Sequence, residues 1–329
     1  MSLLRALGVF VALIHHKDTK STKIFTRFAK TLPPRVVVFT DKLDWHVEKI
    51  CHALTRLGAK AIPARLVDCR IDTTRNSGLA IPGFRALPDL VVVRAIGDGS
   101  LEMITMRLGV LHALEALGVS VVNNAKCIER CTDKSMASFL LARAGLNTPA
   151  TFVAQNFAQA QDIARRECAA GPLVLKPLFG AQGWGLRLIR SEAQLPAPEE
   201  ARGVYYLQRF VAPPPGARGY ADMRILVSAG AIVGAMRRTS PQWITNVRQG
   251  ARPVAVTPAP QEADAALRAA KALGAHCAGV DLIAGPDGAP QVLEVNSMAG
   301  WSGLQRVTGF SIAERLAADA LASVKERGA

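Results

Sequence analysis

The sequence lacks any apolar stretch that could cross a membrane as a helix. The longest candidate near the amino terminus, residues 7–14, is followed by His15, His16 and Lys17 and is far shorter than the about 20 residues that a spanning helix needs. No small-residue cleavage site of a secretory signal follows it. We therefore expect a cytoplasmic protein with no membrane partner. Residues 1–34 are interpreted as a poorly ordered basic extension, the alternative being a targeting or membrane-surface segment.

The sequence also lacks the patterns of nucleophilic and thiol–metal chemistry. There is no Gly-x-Ser-x-Gly elbow, and the six histidines are scattered. The six cysteines have no secreted-type spacing, and Cys127 and Cys131 have no second Cys or His pair that would complete a metal site. These absences disfavour a covalent nucleophile and indicate reduced thiols.

Acidic residues are scarce relative to basic ones, and the net charge is +14. Such an excess suggests a nucleic-acid binder, but it is concentrated in residues 1–34, which carry +5, and in residues 202–252, which carry +7 from eight arginines and one aspartate. Arginine without lysine favours bidentate recognition of carboxylate or phosphate. Aromatic residues, on which single-stranded nucleic acids stack, make up only 5%. We expect polyanionic small molecules as ligands and no nucleic-acid partner.

The order of apolar segments predicts the fold class. Half of the residues are hydrophobic, which is enough for a large core in about two domains. After Pro34, short apolar strands alternate with helices of ten or more residues, a pattern typical of a parallel sheet with helical crossovers. The sequence therefore predicts an α/β domain over residues 35–125, followed by α+β blocks over residues 126–206 and 207–329.

A hairpin near the carboxyl terminus carries the sharpest local pattern. Asp287-Gly288 is a two-residue turn signal, and a turn centred there pairs Asp281 with Glu294 and places Asn296 on the same face. The opposite, apolar face is predicted to hold Val280, Leu282, Leu293 and Val295. Opposed carboxylates repel unless a cation joins them, and an Asp/Glu/Asn oxygen cluster suits Mg²⁺. The alternative is a solvated polar face, which the absence of Lys and Arg from residues 277–305 weakens.

Two further features indicate anion binding. A loop containing Gly180 and Gly183 follows a predicted strand that ends at Lys176. Glycines let backbone N–H groups approach a phosphate, and lysine adds a point charge, although a plain hairpin turn explains the loop equally well. Arg224 and Arg237 lie between apolar residues in predicted strands, where an unpaired charge is unfavourable, so they are the better functional candidates in the arginine-rich segment.

Six segments, taken in order, resemble the motifs of the ATP-grasp superfamily and, within it, of the RimK-like amino-acid ligases. They are Cys131-Thr-Asp-Lys134 with residues 140–149, Leu175-Lys176-Pro177 with the glycine loop, residues 206–211, Asp222-Met-Arg224, residues 243–250, and Gly279-Val-Asp281 with Leu293-Glu294-Val-Asn296. The resemblance covers most of the chain after residue 35. It implies an ATP-grasp fold, in which two α+β subdomains grip ATP, preceded by a Rossmann-like parallel-sheet domain. The first subdomain would carry the phosphate loop, and the second the hinge and the metal site.

The resemblance also implies a role for each matching residue. ATP would be bound by Lys134, Lys176, Gly180, Gln182, Gly183, Gln208, Arg209, Phe210, Val211, Asp222 and Thr245. Two Mg²⁺ or Mn²⁺ ions would be held by Asp281, Glu294 and Asn296. Catalysis would involve Arg224, Arg238 and Asn246, with the two arginines on substrate or acyl-phosphate oxygens.

The implied reaction is amide formation through an acyl phosphate. A substrate carboxylate takes the γ-phosphate of ATP, and an amine then displaces phosphate. Catalysis of this kind is positioning plus charge neutralisation, so it needs no protein nucleophile. We expect replacement of Asp281 or Glu294 by Ala to abolish metal-dependent ATP use and to leave the fold intact.

Several positions depart from the family pattern and leave the acceptor open. Arg209 replaces the usual hinge Glu, Ile244 replaces the Arg of ribosomal-protein-modifying members, and Ser302 replaces an acidic residue of the acceptor-side loop. The motifs most resemble those of members that glutamylate coenzymes. They imply addition of L-glutamate to a small acidic metabolite or coenzyme, similar to tetrahydromethanopterin, methanofuran or F420, by a homodimer or tetramer. The alternatives are glutamylation of a protein C-terminus, an amino-carrier ligase of lysine or arginine biosynthesis and, in another class, a non-catalytic nucleotide- or nucleic-acid-binding protein.

Overall fold

The computed structural model describes residues 32–180 and 183–324. The extension predicted over residues 1–34 therefore lies outside the described residues except for its last three positions, and so does Gln182. Within the described ranges, none of the helices is long and apolar enough to span a membrane.

A parallel sheet forms the amino-terminal part of the described chain. Its elements are β1 (Arg35–Phe39), α1 (Trp45–Arg56), β2 (Lys60–Ala64), β3 (Arg70–Ile71), β4 (Leu79–Ala80), β5 (Leu90–Val93), α2 (Leu101–Ala116), β6 (Ser120–Val122) and α3 (Ala125–Thr132). Strands β2, β1, β5 and β6 lie side by side in that order and run parallel, whereas β3 and β4 pair with each other. The parallel sheet predicted from the alternation of strands and helices is confirmed.

A second, antiparallel sheet follows. Its elements are α4 (Lys134–Arg143), β7 (Thr151–Ala154), α5 (Phe157–Cys168), β8 (Leu173–Lys176), β9 (Arg187–Ile189) and β10 (Tyr205–Arg209). The strand order is β7-β10-β8-β9. The Asp133 carboxylate caps α4 by accepting hydrogen bonds from the backbone N–H groups of Ser135 and Met136, which makes Lys134 the first helical residue. The boundary that we placed after residue 206 falls inside β10, so this sheet extends to Arg209.

A third, antiparallel sheet completes the fold. Its elements are β11 (Tyr220–Ser228), β12 (Ala231–Ser240), β13 (Arg252–Val256), α6 (Pro260–Leu273), β14 (Cys277–Ala284), β15 (Pro290–Asn296), α7 (Ser302–Gln305) and α8 (Ile312–Ala322). The strand order is β13-β12-β11-β14-β15. The loop predicted over residues 239–252 is slightly shorter, because β12 extends to Ser240 and β13 begins at Arg252, and it contains a 3₁₀ turn at Val247–Gln249.

The hairpin of β14 and β15 pairs Asp281 with Glu294, as the sequence predicted, but its turn differs. The backbone N–H of Gly288 donates to the carbonyl of Gly285 at 2.9 Å, so the turn spans Gly285–Gly288. Ala284 consequently pairs with Pro290, one residue out of the register that a turn centred on residues 287–288 would give.

A bulge restores the predicted register at Asp281 and Glu294. Between Asp281 and Leu282 the pairing shifts by one residue, and Leu282 pairs with Val292. Val292 therefore occupies the buried core position. The placement of Leu293 on the apolar face was wrong, because the bulge releases this side chain to line the cleft described below.

The two faces of the amino-terminal sheet pack in different hydrophobic cores, because successive side chains of a strand point to opposite faces. In β1, Val36 and Val38 pack in one core with residues of α1 and α8, whereas Val37 and Phe39 pack in another with residues of α2 and α3. The third sheet packs against α4 and α6. The carboxyl-terminal helix α8 thus covers the amino-terminal sheet, and the segment between β15 and α8 is held close to that sheet.

Candidate functional site

A cleft of about 390 Å³ lies between the second and third sheets. The predicted site residues that line it are Lys134, Lys176, Gly180, Gly183, Gln208, Arg209, Phe210, Val211, Asp222, Arg238, Thr245, Asn246, Asp281 and Glu294. Arg224 and Asn296 lie directly behind it, since Arg224 binds Asp281 and Asn296 binds Glu294. Gln182 lies outside the described residues. The fold brings the other predicted residues, which span more than 160 positions, to one place.

A buried ion-pair network occupies one wall of the cleft. Arg224 donates from Nε and Nη2 to the two oxygens of Asp281, each at 2.6 Å. Arg238 donates from Nε to Asp222 at 2.6 Å, and its Nη2 lies 3.0 Å from Asp281. The pairs form because Asp222 lies opposite Arg238 across β11 and β12, and Arg224 lies opposite Asp281 across β11 and β14. Thr245 adds a hydrogen bond to Asp222.

The two guanidinium groups keep Asp281 ionised. Burial acts to raise the pKa of Asp281, but the charges of Arg224 and Arg238 outweigh it and hold that pKa below its usual range. The resemblance implied that these arginines act on substrate oxygens, whereas the structure places them on protein carboxylates. Arg237, a candidate from its apolar neighbours, also lines the cleft, but it is exposed, whereas Arg238 next to it in the strand is buried.

Glu294 and Asn296 extend the oxygen cluster toward the cleft. Asn296 donates through Nδ2 to Glu294 Oε1 at 3.0 Å, which leaves its amide oxygen as a possible ligand. The Glu294 side chain is 34% exposed. Within the described ranges, no group of three His, Cys, Asp and Glu side chains could hold a metal, so a three-ligand site here depends on the Asn296 amide. The donor set consists of oxygens only, which fits a hard divalent cation such as Mg²⁺.

Two lysines face these carboxylates from the second sheet and from α4. Lys134 donates from Nζ to the carbonyls of Leu178 and Gly180 at 3.1 and 2.8 Å, and thereby anchors the glycine loop. Lys176 donates from Nζ to Gln208 at 2.6 Å. Burial lowers the pKa of both lysines, so a bound phosphate would stabilise their charged forms. Gln208, expected to bind ATP, holds Lys176 in place.

The glycine loop packs against the segment that carries Asn246. At Gly183, φ is +74° and an added Cβ would lie 2.5 Å from Asn246 Oδ1 and 2.9 Å from Ile244 Cγ2. Only glycine combines this backbone conformation with so close an approach. The two loops therefore meet at Gly183.

Gly183→Ala should raise the KM for ATP by about tenfold, because the left-handed conformation costs an L-residue about 1–2 kcal/mol and the methyl group would push the loop away from Asn246. Gly180→Ala is the matched control, since a Cβ there meets only Pro177, at 3.4 Å. Steady-state kinetics with varied ATP would check this. Equal effects of the two substitutions would show that the contact with Asn246 does not matter.

An ion pair with Glu167 explains the arginine at hinge position 209, where the family usually has Glu. The Arg209 guanidinium donates from Nε to Glu167 of α5 at 2.9 Å. Its side chain is thus engaged with α5, although residue 209 also lines the cleft. Phe210 packs edge-on against Trp243, with ring centroids 6.1 Å apart. Trp243 was part of a motif, but the sequence pattern gave it no role.

A histidine holds the segment that follows β15, the strand that carries Glu294 and Asn296. His46, near the start of α1, accepts hydrogen bonds at Nε2 from the backbone N–H groups of Trp301 and Ser302 at 3.2 and 3.3 Å. Burial and the charge of Arg94 lower the pKa of His46, although Asp44 acts in the opposite sense. Neutral histidine is required, because a protonated Nε2 cannot accept.

This contact should make stability depend on pH. The folded pKa of His46 is depressed, so its contribution is fully present above the unfolded pKa of about 6.5 and is lost as pH falls below that value toward the folded pKa. We expect the Tm difference between the native chain and His46→Gln to change below about pH 6.5 and to be constant above it. Thermal melts of both proteins between neutral and mildly acidic pH would check this. Parallel Tm curves across the whole range would contradict it.

Comparison with known proteins places residues 131–320 in the RimK-like ATP-grasp domain family. The tetrahydromethanopterin:alpha-L-glutamate ligase of Methanococcus maripaludis is 36% identical over 250 residues, which cover 74% of this chain and 82% of that protein. A probable alpha-L-glutamate ligase of Parasynechococcus marenigrum is 36% identical over 210 residues. These cover 62% of this chain but only 44% of that protein, so the chain spans less than half of its length.

Solved structures agree on the fold. The ATP-grasp ligase PsnB, in a complex with a phosphomimetic variant of its minimal precursor, Mg and ADP, superposes with a TM-score of 0.69 at 21% identity over 89% of this chain and 99% of that one. A RimK domain ATP-grasp protein from Sphaerobacter thermophilus gives a TM-score of 0.62 at 21% identity over 87% and 99%. At these identities the likeness extends to the fold alone.

Proposed function

The chain belongs to the RimK-like ATP-grasp family, and on that premise we propose that it is an ATP-dependent ligase that joins L-glutamate to the carboxylate of a small acidic metabolite or coenzyme. One observation carries the proposal. Lys134 and Lys176 face the cluster of Asp281, Glu294 and Asn296 across a single cleft. Cations on one side and oxygen ligands on the other suit a nucleotide triphosphate with its divalent ion.

The charged residues on the two walls of the cleft have different roles in phosphoryl transfer. Lys134 and Lys176 bind phosphate oxygens, and the Phe210 and Val211 backbone holds the adenine. Asp281, Glu294 and Asn296 would hold one or two divalent ions, Mg²⁺ or Mn²⁺, which would supply neutralisation of the phosphate charge. Arg224 and Arg238 fix the orientation of Asp281 and Asp222, so their role is positioning.

The reaction requires two displacements and no covalent enzyme intermediate. A carboxylate oxygen of the acceptor attacks the γ-phosphorus of ATP, ADP leaves, and an acyl phosphate forms. The amine of glutamate attacks the acyl carbon, phosphate leaves and the amine loses a proton. The cleft supplies positioning and electrostatic stabilisation, which account for most of the catalysis in reactions of this type.

The substrate choice is supported by the named relatives, both glutamate ligases, one of them specific by name for tetrahydromethanopterin. The test measures ADP release by the purified chain with ATP, Mg²⁺ and L-glutamate. Separate reactions offer three pools of candidate acceptors: acidic coenzymes, peptides with free C-termini and dicarboxylic acids. We expect turnover in the coenzyme arm and a product heavier by one or more glutamyl units. No turnover with any acid and amine, together with salt-sensitive binding of DNA or RNA, would overturn the ligase function.

A further inference from the structure

One cationic side chain lies at the edge of the amino-terminal sheet where open α/β sheets bind ligands. Strand β1 has β2 on one side and β5 on the other, so the chain direction across the sheet switches between β1 and β5. Ligands of such sheets bind outside the carboxyl ends of the strands at this switch point. Arg94 is the first residue after β5. It therefore lies where the topology predicts a binding crevice.

The partners of Arg94 do not include a carboxylate. Its Nη2 donates to the carbonyl of Ala299 at 2.8 Å, and its guanidinium lies over the Trp301 ring, 4.6 Å from the centroid. Its Nε is buried without a hydrogen-bond partner. Within residues 32–180 and 183–324, Arg94 forms no ion pair, although the charge of Asp44 acts on it.

Other enclosed arginines of the described chain bind carboxylates or more than one backbone carbonyl. Arg224 and Arg238 bind Asp281 and Asp222. Arg107, which is 6% exposed, donates to the carbonyls of Ile96 and Asp98. Arg94 is only partly buried, and among its guanidinium nitrogens only Nη2 has a hydrogen bond given for the described residues. A guanidinium that is held by an aromatic ring and a carbonyl, but not neutralised, is suited to receive an anion.

Arg94 is also close to the reacting region. An added Cβ at Gly279 would lie 2.8 Å from the Ala299 Cβ and 3.5 Å from the Arg224 Cδ. Ala299, whose carbonyl binds Arg94, therefore packs against the same backbone as Arg224, which binds Asp281. One layer of residues separates Arg94 from the proposed metal ligands.

We propose that Arg94, held in place by Trp301 and the Ala299 carbonyl, binds a carboxylate of a ligase substrate at a position remote from the atoms that react. A single guanidinium beside the Asp44 carboxylate matches a singly charged group better than a dianionic phosphate. The carboxylate belongs either to L-glutamate or to the acidic acceptor. This inference rests on the proposed function, because it names a residue that would select its substrates.

The test compares Arg94→Gln and Arg94→Lys with a matched control, Arg35→Gln. Arg35 is paired with Asp89 at the opposite, amino-terminal end of the same sheet. We expect Arg94→Gln to raise the KM of one carboxylate substrate by about ten- to a hundredfold, the loss typical of a charge-assisted hydrogen bond, and to leave the KM for ATP within about twofold. Arg94→Lys should recover part of the loss because it keeps the charge. Varying L-glutamate and acceptor in separate titrations identifies which of them Arg94 binds.

A second readout does not depend on turnover. The probe is glutarate, a dicarboxylate, in the presence of Mg²⁺ and a non-hydrolysable ATP analogue. If Arg94 binds L-glutamate, glutarate should raise the Tm of the native chain and of Arg35→Gln but not the Tm of Arg94→Gln. Unchanged KM values for both carboxylate substrates in a folded Arg94→Gln protein would overturn the inference, as would an equal rise of every KM, which indicates a structural role. Absence of turnover in the native chain would instead count against the ligase function.

Discussion

Glu294→Gln should abolish ATP-dependent ligation, with a loss in kcat of at least about a thousandfold, and should leave the fold intact. The substitution removes a charged oxygen ligand of a hard divalent cation, and such ligands set both the affinity for the ion and its position on the phosphates. The fold should tolerate it, because Glu294 is 34% exposed and its nearest cationic partner, Arg224 Nη2, is 3.9 Å away. Pairs of this kind contribute about 0–1 kcal/mol. The remaining amide oxygen can still accept the hydrogen bond of Asn296.

Glu262→Gln is the matched control for this prediction. Glu262 also lines the cleft, but it caps α6 by accepting a hydrogen bond from the Ala259 N–H at 2.7 Å. ADP release should therefore persist in Glu262→Gln and vanish in Glu294→Gln, with similar Tm values for the two proteins. Measurable turnover of Glu294→Gln at saturating Mg²⁺ would show that Glu294 is not a metal ligand.

The local part of this site follows from the sequence, because turn and strand patterns act over short distances. Asp281 and Glu294 are separated by one turn, so a turn signal together with strand alternation is enough to predict that they lie opposite each other. The bulge at Leu293 could not be predicted, since a one-residue shift leaves no mark in a pattern of apolar residues. The prediction of Asp281 opposite Glu294 succeeded because the changed turn and the bulge shift the register in opposite directions.

The distant part of the site does not follow from local pattern. The arginine excess of residues 202–252 was visible, but its partners depend on β11 lying between β12 and β14, a pairing set by the whole sheet. Likewise, His46 and Trp301 are 255 positions apart, and the contact between them exists because α8 returns to cover the amino-terminal sheet. Only part of the arginine excess of residues 202–252 is internal: Arg224 and Arg238 bind buried carboxylates, whereas the other six arginines of this segment are exposed.

Asp281→Asn should lower the free energy of unfolding by about 3–5 kcal/mol, the usual loss when one partner of a buried ion pair is removed. This revises the expectation from sequence that a change at Asp281 leaves the fold intact. Asp281 is 3% exposed and compensates two guanidinium groups, Arg224 and Arg238. Without it, Arg224 keeps only the distant Glu294 and Arg238 keeps Asp222. Loss of activity in Asp281→Asn is therefore no proof of a metal ligand, whereas loss in Glu294→Gln is informative.

Chemical denaturation of the native chain, Asp281→Asn and Asp264→Asn measures how much Asp281 contributes to stability, separately from its role in activity. Asp264 pairs with Arg268 four residues away on α6, and its side chain is 62% exposed, so its replacement should change the free energy of unfolding by less than about 0.5 kcal/mol. If Asp281→Asn proved as stable as Asp264→Asn, the buried network would not be the source of stability assigned to it. In the expected case, adding Arg224→Met to Asp281→Asn should recover part of the loss, because it removes one of the two uncompensated charges. The same double variant should stay inactive, since the oxygen ligand at position 281 remains uncharged.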